Sequence, residues 1–245
     1  MVTLRNVQGT TESLWTLPSN FMARPSVLIT GGTGYIGGRL IPLLVERGFH
    51  VRAIVRRGSE SKVASGAQIV IGDVRDRASI ASHLLPGSIV IQLVGTPKPS
   101  PAKAAEFEAL DYVSAHECIE AAKAVGVRHF IYVSVAQPAP IMRAYVDVRR
   151  RVEEEIVASG IPHTFVRPWY VLGPGHRWPY VLIPMYWLVR LLPPTRDGAT
   201  RLGLVTLRQM LATLVWSVET AGDDSRTLNV VDIRRIGSGK NKTTA

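Results

Sequence analysis

The stretch Ser26–Leu40, SVLITGGTGYIGGRL, decides how the rest of the chain is read. Val27, Leu28 and Ile29 form an apolar run of strand type that Thr30 closes. Gly31, Gly32, Gly34, Gly37 and Gly38 follow, and Ile36, Leu40 and Leu43–Val45 then begin a helical pattern. A buried strand that feeds a helix through glycines leaves free backbone N–H groups at the helix N-terminus, where the macrodipole favours anions. Glycine lets the backbone turn sharply and keeps side chains out of the way of a pyrophosphate. Two spacings overlap, Gly32-x-Gly34-x-x-Gly37 and Gly31-x-x-Gly34-x-x-Gly37, the second led by Thr30. Set between a strand and a helix, they predict a dinucleotide cradle contacted by Gly31, Thr33, Gly34, Tyr35, Ile36 and Gly37.

Outward from this stretch, strand-like and helical patterns alternate, which predicts an α/β fold: a doubly wound parallel sheet of Rossmann type. Strands are expected at His50–Arg56, Gln68–Asp73, Ser88–Gly95, Arg128–Val133, His163–Arg167 and Leu228–Ile233. Helices are expected at Arg77–Leu85, Lys103–Val125 with Gly126 as its C-terminal stop, Ala144–Ser159 and Leu207–Thr220. Pro42 falls inside the first helix, where it removes a hydrogen bond or kinks the axis. Residues 1–24 lack periodicity and read as a disordered leader, or as residues ahead of a true start at Met22. The expected division is 25–168 for dinucleotide binding, 169–236 for a substrate-pocket region of the same fold, and 237–245 for a polar tail.

Of the 245 residues, 46% are hydrophobic and 20% charged, as in packed globular proteins, but the net charge is +10. The basic residues are scattered, without a basic tract interleaved with aromatics, so nucleic acid is not expected as a partner. Phosphate-bearing ligands or an anionic membrane surface account for the charge. The single cysteine, Cys118, excludes an internal disulfide and points to a reducing, cytoplasmic compartment; in its alanine-rich helical run it reads as a small core residue. The six histidines have no metal-ligand spacing, so no structural metal is expected.

Cofactor choice is read at the end of the second strand. An Asp or Glu there, about 20 residues past the glycines, binds ribose hydroxyls and selects NAD. This chain has Arg56 and Arg57, which would bind a 2′-phosphate, so NADP(H) is expected over NAD(H). Asp73 and Val74, ending the third strand, stand where an adenine edge is held. Gly95 and Thr96, ending the fourth, stand where the chain passes the nicotinamide ribose.

Together, TGGTGYIGG, GDVRD, AAKAVGVRHFIYVS and RPWYVLGPG resemble the short-chain dehydrogenase/reductase superfamily over about Val27–Ile233. Within it the chain looks most like the atypical or extended NAD(P)H-binding group, with its nitrogen-metabolite-repressor-like and complex I accessory-subunit-like branches. The resemblance implies a catalytic Tyr-x-x-x-Lys pair and a serine. Tyr145 matches the tyrosine, Arg149 stands in the lysine position, and Ser134 matches the serine. The tyrosine's task in the family is to protonate a carbonyl oxygen as hydride arrives from the nicotinamide. Arginine can supply the neighbouring positive charge but cannot relay a proton. A plainer reading also stands: Arg149, Arg150 and Arg151 precede Glu153, Glu154 and Glu155 by four residues, as three surface ion pairs would.

Past Pro168, Trp169, Tyr170 and His176 are expected to border a substrate pocket, since open α/β sheets bind ligands beyond the carboxyl ends of their strands. His176 is a candidate acid or base, or a structural hydrogen-bonder. Tyr180–Leu192 is apolar but too short to cross a bilayer, which takes about 20 residues. It reads as a core helix or pocket lid, or as an interfacial segment helped by Arg177, Arg190 and Arg196. The resemblance implies an NADPH-dependent reductase of a carbonyl or activated double bond on an apolar small molecule. The other reading is a non-catalytic sensor or assembly protein, at a membrane surface or elsewhere. An oligomer is compatible with either, because helices after the fourth and fifth strands pair in this superfamily.

Overall fold

Seven short strands build the main sheet: β1 (Val27–Thr30), β2 (Val51–Val55), β3 (Gln68–Ile71), β4 (Ile89–Gln92), β5 (His129–Val133), β6 (His163–Val166) and β9 (Arg226–Leu228). They belong to a computed structural model that describes residues 24–139, 141–174 and 203–239. Neighbours run in the order β3-β2-β1-β4-β5-β6-β9, and every pair is parallel. The order reverses between β1 and β4, where a crevice opens beyond the strand ends. The expected doubly wound sheet is therefore present.

Strand periodicity divides the core into two layers. Val27, Ile29, Ile89 and Ile91 face one side of the sheet, while Leu28 and Val90 between them face the other. The first side is covered by α1 (Gly37–Glu46), α6 (Leu207–Glu219) and α7 (Val230–Gly237), through Leu40, Ile41, Met210, Leu214 and Ile233. The second is covered by α2 (Arg77–Ala81), α4 (Val113–Val125) and α5 (Arg143–Ser159), through Ile80, Ile119, Ala122, Val152 and Ile156. Each fully buried Leu, Ile or Val contributes about 1.5–3 kcal/mol. Two layers of such residues make the central strands the rigid floor of the crevice. α1 runs from Gly37 to Glu46 with Pro42 inside it, and α4 stops at Gly126, whose φ is +75°.

Three departures from the expected elements have local causes. The last strand is Arg226–Leu228, not Leu228–Ile233, and α7 occupies Val230 onward. Asn229 and Asp232 form a capping box, and Val230, Ile233 and Ile236 are buried on one helical face, so helix spacing overrides the β-branched composition. The helix expected over Lys103–Val125 is composite. A 3₁₀ turn at Pro101–Lys103 and α3 (Ala104–Glu106) lead into a π-helical turn, Phe107–Tyr112, ahead of α4. Beyond β6 a second, two-stranded parallel sheet pairs β7 (Tyr170–Leu172) with β8 (Leu204–Thr206). The Tyr180–Leu192 segment, His176 and residues 1–23 lie outside the described residues.

One polar thread runs through the otherwise apolar centre. Thr30 Oγ1 donates to Gln92 Oε1, Gln92 Nε2 donates to Ser114 Oγ at 3.2 Å, and Ser114 Oγ donates to the Asp111 carbonyl at 3.4 Å. Thr30, Gln92, Ser114 and Asp111 are all buried. The thread ties the start of the glycine turn to the π-helical turn through β4.

Candidate dinucleotide site

At the carboxyl ends of β1, β2, β3 and β4 lies a cavity of about 580 Å³, within the range of small-molecule sites. Gly31, Thr33 and Gly34 border it on one side, Arg56, Asp73 and Val74 at one end, and Gly95 at the other. The glycine turn is pressed against β4: a β-carbon on Gly31 would stand 2.9 Å from the Leu93 carbonyl carbon and 3.0 Å from Val94 N. Gly31 also takes φ +72°, and its carbonyl accepts from Gly34 N at 3.0 Å. Ile36 is the N-cap of α1 and makes no side-chain cap, and no acid occupies the first turn. Gly38 N and Arg39 N donate to the Gly34 and Ile36 carbonyls at 3.0 Å, so the turn and the first turn of the helix form one continuous backbone segment. A closed glycine turn on the cavity wall, a helix start without side-chain cap or acid, and a basic residue beside β2 fit a dinucleotide.

The remaining cradle candidates stand behind this surface. Ile36 and Gly37 start α1 outside the cavity lining. Tyr35 turns its buried hydroxyl toward Gly173, while the guanidinium carbon of Arg39 sits 4.5 Å from its ring centroid. Arg57 is also outside the lining, whereas Arg75, which sequence reasoning did not single out, is part of it. Arg75 forms a two-point ion pair with Asp73, at 3.3 and 3.1 Å, and its backbone N–H donates to the same carboxylate at 2.9 Å. These hydrogen bonds hold the Asp73 carboxyl below the usual carboxylate range. Asp73 thus presents a neutralised charge to the cavity, and Arg56 stands as a further cation at that end.

At the other end, Gly95 lines the cavity and Thr96 does not. A β-carbon on Gly95 would lie 2.6 Å from Arg149 Nη2, so the arginine is directly behind the cavity wall. Arg149 is not a surface residue. Its Nη2 donates to Asp111 Oδ2 at 2.8 Å, and its Nη1 donates to Tyr132 Oη at 3.1 Å and the Val133 carbonyl at 3.0 Å. Asp111 Oδ1 accepts from Thr96 N at 2.6 Å and from Thr96 Oγ1 at 2.8 Å. Burial opposes the charge on Arg149, but Tyr132, Tyr145 and Asp111 around it hold its pKa above the usual arginine value. Burial likewise pushes the Tyr132 phenol up.

Tyr145 is half-buried on the same face of α5. The Arg149 guanidinium carbon lies 5.0 Å from its ring centroid, and Phe107 meets the ring edge-on at 5.1 Å. Ser134, past the end of β5, is buried, and its hydroxyl has no hydrogen-bond partner among the described residues. Tyr145 and Arg149 are therefore brought together, while Ser134 makes no hydrogen bond to either.

Of the three Arg–Glu pairs that the spacing allowed, only Arg150–Glu154 forms among the described residues, at 2.6 Å. Glu153 instead accepts from Arg167 and Gln137, and Glu155 from Tyr112 and His116. Trp169 and Tyr170 meet edge to face at 5.4 Å, outside the lining of the cavity. Among the described residues no group of three His, Cys, Asp or Glu side chains could hold a metal ion, and no helix is long and apolar enough to cross a membrane.

A parallel sheet with reversed strand order at a glycine turn, and a cavity at that reversal, define a dinucleotide-binding protein of Rossmann type. The chain belongs to the NAD(P)H-binding family, whose model matches residues 31–178. It is 28% identical over 170 residues to Protein TIC 62, chloroplastic, of Oryza sativa subsp. japonica, covering 58% of this chain and 34% of that protein. It is 28% identical over 155 residues to the ceramide reductase of Caulobacter vibrioides, covering 62% and 48%. The chain thus spans a third to a half of the length of these curated relatives. Its fold matches the Bordetella bronchiseptica enzyme WbmH, solved with NAD+, at a TM-score of 0.63 and 21% identity over 83% of this chain and 74% of that one. The NAD(P)H-binding family and the nicotinamide cofactor expected from the motifs are borne out by the family model, and the likeness to WbmH bears out the expected fold.

Proposed function

We propose that the protein is an NADP(H)-dependent reductase of a carbonyl or activated double bond on an apolar small molecule. The observation that carries this reading is the Arg149 guanidinium, which stands directly behind the cavity wall at Gly95 with its carbon 5.0 Å from the centre of the Tyr145 ring. Bound nicotinamide supplies hydride. The chain's own residues do the rest. The glycine turn ahead of α1 receives the pyrophosphate, and Arg56 binds the 2′-phosphate. Gly95 borders the nicotinamide ribose, with Thr96 behind it on Asp111. Tyr145 donates its phenolic proton to the substrate oxygen, and Arg149, always protonated, supplies fixed positive charge without relaying that proton. The Caulobacter relative, named a ceramide reductase, supports a reductase acting on an apolar substrate.

A second reading, a non-catalytic NAD(P)H-binding sensor or assembly protein, is favoured by one feature. The Ser134 hydroxyl, which matches the family's serine, makes no hydrogen bond among the described residues, to Tyr145 or to any other. The match to Protein TIC 62 is compatible with it. Fluorescence titration with NADPH and NADH, followed by turnover with a panel of ketones, quinones and enones, separates the readings. The reductase reading expects tighter NADPH binding that Arg56→Ala abolishes, and turnover lost in Tyr145→Phe with NADPH affinity intact. NADPH binding without oxidation by any panel member overturns it in favour of the second reading.

A further inference from the structure

We propose that Asp111 and Arg149 form a positioning pair for the nicotinamide half of the cofactor, and that Arg149 is not itself a cofactor ligand. The proposal rests on the reading that Gly95, with Thr96 behind it, borders the nicotinamide ribose. Both oxygens of Asp111 are used: Oδ1 by the backbone and hydroxyl of Thr96, Oδ2 by Arg149. The side chains of Arg149 and Asp111 are 5% and 0% exposed. If the guanidinium left to reach a ribose hydroxyl, it would strand an unpaired carboxylate in the core, a strongly unfavourable arrangement. It would also vacate Tyr132 Oη and the Val133 carbonyl.

The arginine is therefore held behind the cavity wall, and its position there sets two others. On one side the pair fixes the backbone at Gly95–Thr96, the segment that leaves β4. On the other, the guanidinium lies 5.0 Å from the centre of the Tyr145 ring, which Phe107 of the same π-helical turn meets edge-on. One carboxylate thus locks the β4 loop, the π-helical turn, the end of β5 and α5 into one unit at the nicotinamide end. A lysine at position 149 offers a single ammonium in place of a planar fork, so it cannot serve Asp111, Tyr132 and Val133 in the same geometry. The arginine is a different solution from the family's lysine, with an acid in the core to hold it.

Calorimetric titration of Asp111→Asn and Arg149→Lys with two probes tests this. NADPH spans the whole cavity, and 2′,5′-ADP carries the adenosine half alone. The expected result is an NADPH affinity about tenfold weaker or more in both variants, with 2′,5′-ADP binding unchanged. Equal losses for both probes would reduce the pair to general scaffolding and overturn the proposal, as would undiminished NADPH affinity. Tighter NADPH binding or faster turnover in Arg149→Lys would also overturn it, by showing a displaced cofactor ligand. Where Asp111→Asn fails to fold, Asp111→Asn/Arg149→Met removes both charges together. The same split between probes supports the proposal there, and full NADPH affinity refutes it. A wild-type protein that binds NADPH no better than 2′,5′-ADP overturns the placement of the nicotinamide half itself, a separate outcome visible before any variant is made.

Discussion

Replacing Gly31 by alanine tests the central claim about the glycine turn. The backbone there has φ +72°, and the added methyl would stand 2.9 Å from the Leu93 carbonyl carbon and 3.0 Å from Val94 N. A left-handed conformation costs an alanine about 1–2 kcal/mol. Forcing a methyl against packed backbone adds about 1–3 kcal/mol. The sum, about 2–5 kcal/mol, is a large part of the roughly 5–15 kcal/mol that holds a domain together. It lowers the melting midpoint by roughly 4–20 °C, at about 2–4 °C per kcal/mol for a chain of this size. Gly48 provides the control, with φ +77° and nothing within 4 Å of an added β-carbon. Gly48→Ala therefore carries only the backbone part, about 1–2 kcal/mol. Urea unfolding of both variants, with NADPH titration of the folded proteins, is the assay. Gly31→Ala is expected to lose more stability than Gly48→Ala and to bind NADPH about tenfold more weakly or worse, while Gly48→Ala binds as the wild type does. Equal destabilisation would refute the contact with β4. Normal NADPH binding by a folded Gly31→Ala would refute the turn as the cradle.

His129 is buried between the Gly222 carbonyl and Thr164 Oγ1, and burial holds its pKa below the ordinary value. Below about pH 6.5 the unfolded chain takes up a proton that the folded chain refuses, so stability present at neutral pH is lost as pH falls. Urea midpoints of the wild type should drop more steeply on acidification than those of His129→Gln; parallel curves would remove His129 from the account. Burial pushes the Cys118 thiol up to about 12, so a thiol reagent at about pH 8 should label it only after denaturation. Rapid labelling of native protein would show that α4 opens. Thr206 caps α6 by accepting from Gln209 N at 3.2 Å while Gln209 Oε1 accepts from Thr206 N at 2.9 Å. Thr206→Ala should cost about 1 kcal/mol, a fall of about 2–4 °C in melting midpoint, and an unchanged midpoint would contradict the capping role.

The sheet was legible because its information is local. Apolar runs such as Val27–Ile29 and Ile89–Ile91 are bounded by glycine or polar turns, and the stretch from Thr30 to Gly38 carries its own geometry. What the sequence hid depends on contacts across the fold. Leu228–Ile233 has strand composition, yet the Asn229 cap and the burial of Val230, Ile233 and Ile236 make the chain from Val230 onward a helix. Asp111 sits in an unremarkable helical run, and its role appears only when Thr96 and Arg149 converge on it. Arg149 stood open to two readings, the family's lysine position or one of three surface arginines, because spacing along a helix does not reveal which face is buried. Arg57 and Arg75 exchanged importance for the same reason: the turn after β3, not the order of residues, brings a cation to the cavity edge.

The thread of side chains from Thr30 through Gln92 to Ser114 has a consequence for how these positions can drift over evolutionary time. Leaving one buried partner behind costs about 1–3 kcal/mol, whereas replacing a whole set by apolar residues of matching shape is close to neutral. Gln92→Leu alone removes a partner from both hydroxyls at once. Thr30→Val alone deprives Gln92 Oε1 of its donor and Leu93 N of an acceptor. These three positions are therefore expected to change together, as one unit, rather than singly. Because Thr30 opens the glycine turn, descent of that unit is linked to descent of the cradle itself.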